Sequence, residues 1–303
     1  METPILVPLD GSSLAEQALS CAVTLARGLS AELVLLRAVS VPSDARRYLG
    51  GTAVKESDLL ERLEAEADEY LREVTDRVRL TGLTVRHVVR HGPAADIIVD
   101  YAEQTDIWQI IMATHGYSGI KRWTHGSVAE RGLQAASVPV LMVRAEEEEA
   151  EASQKLTLCQ SILVPLDGSV MAEQVLPSVR SIAKAVGARL FLFQVAFDQP
   201  ASMFGGEWFF LPVEGEFMEE ERRAREYLER IADSLREEGI EVSTGTQIGS
   251  VAECIVDFAE ENKVDLIAMC THGRTGLARW ALGSVADRVL RSGRVPILLV
   301  RAR

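Results

Sequence analysis

The segment Ile5-Leu6-Val7-Pro8-Leu9-Asp10-Gly11-Ser12 returns as Ile162-Leu163-Val164-Pro165-Leu166-Asp167-Gly168-Ser169, displaced by 157 positions. Thr114-His115-Gly116 returns as Thr271-His272-Gly273, and Gly126-Ser127-Val128-Ala129 returns as Gly283-Ser284-Val285-Ala286. Val138-Pro139 returns as Val295-Pro296, at the same displacement as the others. A constant offset at both ends leaves little room for net insertion. The chain therefore reads as a duplicated domain and not as a solenoid of short repeats. A length of 303 residues is also too much for one ordinary core and suits two. The predicted domains are 1–145 and 161–303. Between them, 146–160 forms a linker that carries the acidic run Glu146-Glu147-Glu148-Glu149, which reads as a solvated segment.

Each copy alternates strands and helices. Ile5–Val7 is a short apolar strand. Leu14, Ala18, Ala22, Leu25 and Ala26 recur at helical spacing over Ser12–Arg27, and Glu32–Val39 is the second strand. Leu60, Leu63, Ala67, Leu71, Val74 and Val78 make the stripe of a long amphipathic helix. A strand over Val85–Arg90, a helix over Ala94–Glu103 and a strand over Gln109–Thr114 follow. Ser127 opens a further helix before a last strand at Pro139–Val143. Near-continuous apolar strands alternating with helices predict an α/β fold of two tandem doubly wound domains. Each is expected to be a five-stranded parallel sheet flanked by helices. Ligands of such sheets sit outside the carboxyl ends of the strands, where the strand order switches direction.

Three segments should meet at that edge. Asp10-Gly11-Ser12 follows the first strand. Its carboxylate could accept from a ribose diol, or Asp10 or Ser12 could simply cap the following helix. Met112-Ala113-Thr114-His115-Gly116 ends the fourth strand, and nine residues later comes Gly126-Ser127. Gly116 frees the chain as it leaves the strand. Gly126 permits close approach of a phosphate, and Ser127 opens a helix whose N–H groups and dipole would face the anion. A glycine-bearing loop with an ordinary serine cap is the alternative, but both copies keep the whole pattern, which favours a site. The third segment is the end of the second strand, Ala38-Val39 and Val195-Ala196, against whose backbone a purine could lie. Plain packing explains small apolar residues there equally well.

Both copies resemble the universal stress protein family over nearly the whole chain. The most specific element is that family's nucleotide motif, Gly-x2-Gly-x9-Gly-Ser/Thr. It reads here as Ala113-Thr114-His115-Gly116 with Gly126-Ser127, and as Cys270-Thr271-His272-Gly273 with Gly283-Ser284. The resemblance implies an adenine nucleotide alpha hydrolase-like fold that binds ATP or AMP, with or without Mg2+. In copy one it implies contacts from Pro8, Asp10, Ala38, Met112, Gly116, Gly126, Ser127 and Val128. In copy two the matching positions are Pro165, Asp167, Val195, Met269, Gly273, Gly283, Ser284 and Val285. The first motif glycine is replaced by Ala113 and Cys270, so the bulkier thiol is expected to crowd the second site more. Trp108 stands where copy two has Asp265, which reads as an edge or packing change.

A net charge of −13 repels DNA and RNA, so nucleic acid is not expected as a partner. No apolar run reaches membrane-spanning length, and the amino end lacks the basic and apolar regions of a signal peptide. The expected location is therefore the cytoplasm. Four scattered cysteines and five histidines show no metal or redox spacing. There is no Gly-x4-Gly-Lys-Ser/Thr loop and no evident base near the phosphate positions, which favours nucleotide binding over turnover. A slow ATPase, or self-phosphorylation at Ser127 or Ser284, is one alternative. An interaction module without nucleotide is another. The resemblance further implies intramolecular pairing of the two domains, and it leaves a homodimer of chains open.

Overall fold

The computed structural model describes residues 4–41, 56–115, 128, 132, 135–145, 159–198, 214–271 and 282–302. The chain divides into two compact units, Met1–Leu156 and Thr157–Arg303.

Unit one begins with β1 (Ile5–Pro8), α1 (Ser13–Glu16), α2 (Ala18–Leu29) and β2 (Leu33–Val39). α3 (Glu56–Arg79), β3 (Val85–His91), α4 (Ala94–Gln104), β4 (Gln109–His115) and β5 (Val140–Ala145) follow. Its strands lie in the order β3-β2-β1-β4-β5, all parallel. Val128, Gly132 and Ala135 are helical, in line with the helix expected after Ser127, which itself lies outside the described residues.

Unit two repeats the plan with β6 (Ser161–Pro165), α5 (Val170–Glu173), α6 (Leu176–Val186), β7 (Arg189–Asp198) and α7 (Glu214–Glu237). It ends with β8 (Val242–Gly249), α8 (Val251–Glu261), β9 (Leu266–Cys270), α9 (Ser284–Ser292) and β10 (Ile297–Val300). The order is β8-β7-β6-β9-β10, again parallel. These are the doubly wound parallel sheets that the alternating pattern predicts.

The central strands carry the core because both of their faces are covered. Ile5, Leu6 and Val7, like Ile162, Leu163 and Val164, are completely buried. α3 packs on β2 and β3, as α7 does on β7 and β8. The apolar stripe of α3 is buried at Ala67, Leu71, Val74 and Val78, whereas Leu60 and Leu63 stay half-exposed.

Two local features depart from the sequence expectation. The single helix read over Ser12–Arg27 is broken at Gln17. In unit two the same break precedes Pro177, which has no N–H to continue the ladder. In unit one Ser20 stands there, and its hydroxyl donates to the Gln17 carbonyl at 3.1 Å, diverting that acceptor from the helical ladder. The second departure is a bulge. β2 pairs regularly with β3 from Leu33 to Val39, but β7 shifts register against β8 between Val195 and Phe197. The extra residue bends the strand at its carboxyl end.

Candidate functional site

In each unit the chain runs outward from the first strand to two neighbours on one side, then returns to the other side. The switch falls between β1 and β4, and between β6 and β9. Pro8 and Pro165 are the last residues of β1 and β6, and both are half-buried. The next N–H groups still reach across the sheet. Leu9 donates to Leu36 O and Leu166 donates to Phe193 O, each at 2.8 Å. The strand therefore delivers Asp10 and Asp167 just beyond the last rung of the ladder.

The turn that follows is the same in both units. Asp10 Oδ1 accepts from the Ser12 N–H at 2.8 Å, and the Ser12 hydroxyl accepts from the Ala15 N–H at 3.1 Å. Asp167 Oδ1 accepts from Ser169 N–H at 2.9 Å, and Ser169 Oγ accepts from Ala172 N–H at 3.1 Å. Ser12 and Ser169 are thus the helix caps, while the aspartates brace the turn through one oxygen and stay at the surface or half-buried. Gly11 takes φ +93°, and the Arg37 guanidinium lies 3.2 Å from where its Cβ would stand, so only glycine suits that position.

The Gly283 N–H donates to Thr271 O at 2.7 Å, which ties the start of α9 to the residue just past β9. Gly283 is the N-cap of α9 and supplies no side chain to its first turn. Ser284 is exposed and Val285 half-buried. The N–H groups of that turn, with the positive end of the helix dipole, form a surface suited to an anion. Gly283 has φ −56° and ψ 148°, a conformation open to any residue. The backbone therefore does not demand glycine here, and what glycine provides is space. In unit one Val128 is half-buried and helical. Gly116, Gly126, Ser127 and Gly273 lie outside the described residues.

Ala38 and Val195 are half-buried near the carboxyl ends of β2 and β7, Val195 at the bulge. Met112 and Met269 lie deeper, at 5% and 6% exposure, packed into their sheets. The Cys270 thiol is also buried and donates to Ala172 O at 3.5 Å. Burial pushes that thiol up to about 12, so it stays neutral. With its sulfur on the α5 carbonyl, Cys270 is accommodated by packing between β9 and α5. Asp265 accepts from the Gln160 N–H at 3.0 Å and the Ser161 N–H at 3.2 Å, and burial raises its carboxyl above the usual range. It fastens the start of β6, at the sheet edge opposite the motif. The Trp108 backbone N–H donates to Pro4 O at 2.9 Å at the matching place.

Sequence reasoning did not single out a tyrosine–glutamate pair that both units hold beside this edge. Tyr70 O–H donates to Glu16 and Tyr227 O–H to Glu173, each at 3.0 Å. Burial, then the neighbouring carboxylate, raises both phenols well above their ordinary value. The offset alone could have found the pair, because all four residues obey it. Among the described residues no group of three or more His, Cys, Asp or Glu side chains is placed to hold a metal ion. No described helix is long and apolar enough to cross a membrane.

Residues 1–144 and 159–301 each match the profile of the Universal stress protein family. The universal stress protein MJ0531 of Methanocaldococcus jannaschii is 36% identical over 150 residues, covering 48% of this chain and 83% of that protein. A universal stress protein of Mycolicibacterium smegmatis is 24% identical over 222 residues, covering 73% of this chain and 70% of the relative. Among solved structures, a universal stress protein from Archaeoglobus fulgidus superposes with a TM-score of 0.72 at 20% identity, over 99% of both chains. That likeness concerns the fold.

Proposed function

The chain belongs to the universal stress protein family, and we propose that each of its two units binds an adenine nucleotide, ATP or AMP, as a binding or signalling protein with little or no turnover. The observation that carries this reading is the Gly283 N–H bond to Thr271 O at 2.7 Å. It sets a helix N-terminus whose cap residue has no side chain at the carboxyl edge of β9. That edge neighbours Asp167 at the end of β6. Phosphate oxygens would take the N–H groups of Ser284 and Val285, and Asp167 would accept from the ribose. The backbone near Val195 would flank the purine. Gly273 completes the motif in sequence. Unit one offers Asp10, Ala38 and Val128 at the matching positions, together with Gly116, Gly126 and Ser127. Any Mg2+ would enter on the nucleotide phosphates.

Mass spectrometry of ligand released from the denatured purified protein tests the reading, together with calorimetric titration by ATP and AMP. Co-purifying adenine nucleotide, or titration to two equivalents per chain, supports it. A chain that carries no nucleotide and gives no binding heat with either contradicts it. Phosphate release from labelled ATP reads turnover in the same preparation.

A further inference from the structure

The duplication supplies an internal control at every position, and one cavity of unit two is lined by residues that differ in unit one. In unit one, Glu16 accepts from Tyr70 O–H and pairs with the Arg77 guanidinium. In unit two, Glu173 keeps the tyrosine bond, but the position of Arg77 is held by Ser234. Between α6 and α7 a cavity of about 270 Å³ opens, lined by Glu173, Leu176, Arg180, Tyr227, Arg230 and Ser234, among others. It is smaller than the clefts that hold drug-sized ligands, so a small metabolite fits it better than a nucleotide does. It lies on the helical flank, between α6 and α7.

Its charge is reversed relative to unit one. Val23 and Glu73 become Arg180 and Arg230, while Arg77 becomes Ser234. One glutamate now faces two arginines, in a chain of net charge −13. Neither arginine is fully used. Arg180 reaches Glu238 at 3.3 Å, a carboxylate that Lys184 holds more closely at 2.6 Å. The Arg180 Nε is buried with no hydrogen-bond partner among the described residues. Arg230 lies over the Tyr227 ring at 5.9 Å and makes no ion pair among the described residues. Guanidinium groups recognise carboxylate and phosphate through paired N–H donors.

We propose that the α6–α7 cavity of unit two is a second ligand site, taking a small hydroxylated oxyanion, either a carboxylate or a phosphate ester. Arg180 and Arg230 bind the anionic group, and Glu173 accepts from a ligand hydroxyl. In unit one Arg77 occupies the equivalent glutamate, so one equivalent of ligand per chain is expected.

The probes are glycerol 3-phosphate and glycerate, titrated into the full chain by calorimetry, with glycerol as the neutral control. One equivalent of at least one anion should bind, glycerol should not, and the preferred anion identifies the source. Ser234→Arg rebuilds the unit-one arrangement and should weaken binding at least about tenfold, with ATP titration unchanged. Arg230→Glu, at an exposed position, should do the same without disturbing the fold. Absence of binding by both probes overturns the proposal, as does binding that survives both variants. Loss of probe binding in Gly283→Asp with retention in Ser234→Arg also overturns it, by placing the probe in the nucleotide site.

Discussion

The backbone N–H of Gly283 donates to the carbonyl oxygen of Thr271 at 2.7 Å. This one bond brings a helix N-terminus back to the end of the strand that precedes it by thirteen residues. Gly283 sits there in a backbone conformation that alanine or aspartate could also adopt, so its side chain can be varied with little cost to the turn. The region can therefore be dissected by substitution.

The aspartate and serine of the first turn have separable roles. Ser169 caps α5, so Ser169→Ala should cost about 1 kcal/mol of stability and leave ATP affinity unchanged. Asp167→Ala should lower ATP affinity at least about tenfold, through loss of a charged hydrogen bond to the ribose. Urea unfolding and calorimetry on both variants read the two effects. Equal loss of affinity in Ser169→Ala would assign the effect to the helix turn and remove Asp167 from the site.

Gln109 should be a stability defect. It is completely buried at the start of β4, and neither Oε1 nor Nε2 has a hydrogen-bond partner among the described residues. Unit two places Leu266 at the matching position with 1% exposure. Gln109→Leu should therefore stabilise unit one by about 1–3 kcal/mol, the usual cost of unsatisfied buried polar groups. The check is the midpoint of urea unfolding, and an unchanged or lowered midpoint would show that the amide is satisfied after all.

Cys270 should be inert in the native state. Its thiol is raised by burial to about 12, against about 8.5 for an unfolded cysteine. A raised folded value stabilises the protein fully below pH 8.5, and that contribution is lost as pH climbs toward 12. Ellman's reagent at pH 8 should label half-buried Cys254 first and Cys270 only on unfolding. The urea midpoint of the wild type should fall more steeply above pH 8.5 than that of Cys270→Ala. Rapid native labelling of Cys270, or equal slopes, would contradict this account.

Much of the fold was legible because the constraints were local and duplicated. The apolar runs at Ile5–Val7 and Ile162–Val164 could only be central strands, and the α3 stripe marked its helix. The edge grouping of Asp167 and Gly283 followed from strand order. What escaped sequence reading depends on contacts between distant elements. The bulge at Val195–Phe197 arises from pairing with β8 and has no signature in β7 alone. The Cys270 thiol bonds to the Ala172 carbonyl, 98 residues away in sequence, a contact that no local pattern announces. The α6–α7 cavity is lined from helices more than forty residues apart in sequence, with Ser234 where unit one has Arg77 on Glu16.

The most direct measurement is ATP stoichiometry by calorimetry on Gly126→Asp, Gly283→Asp and the double variant, with circular dichroism as the folding control. Each aspartate would fill the space a phosphate needs and repel it. Charge-assisted hydrogen bonds contribute about 1.5–3 kcal/mol each, so losing two should weaken a site at least about a hundredfold. The account predicts two equivalents of ATP in the wild type, one in each single variant and none in the double variant, with helical content retained. A folded double variant that binds ATP with wild-type affinity would contradict it.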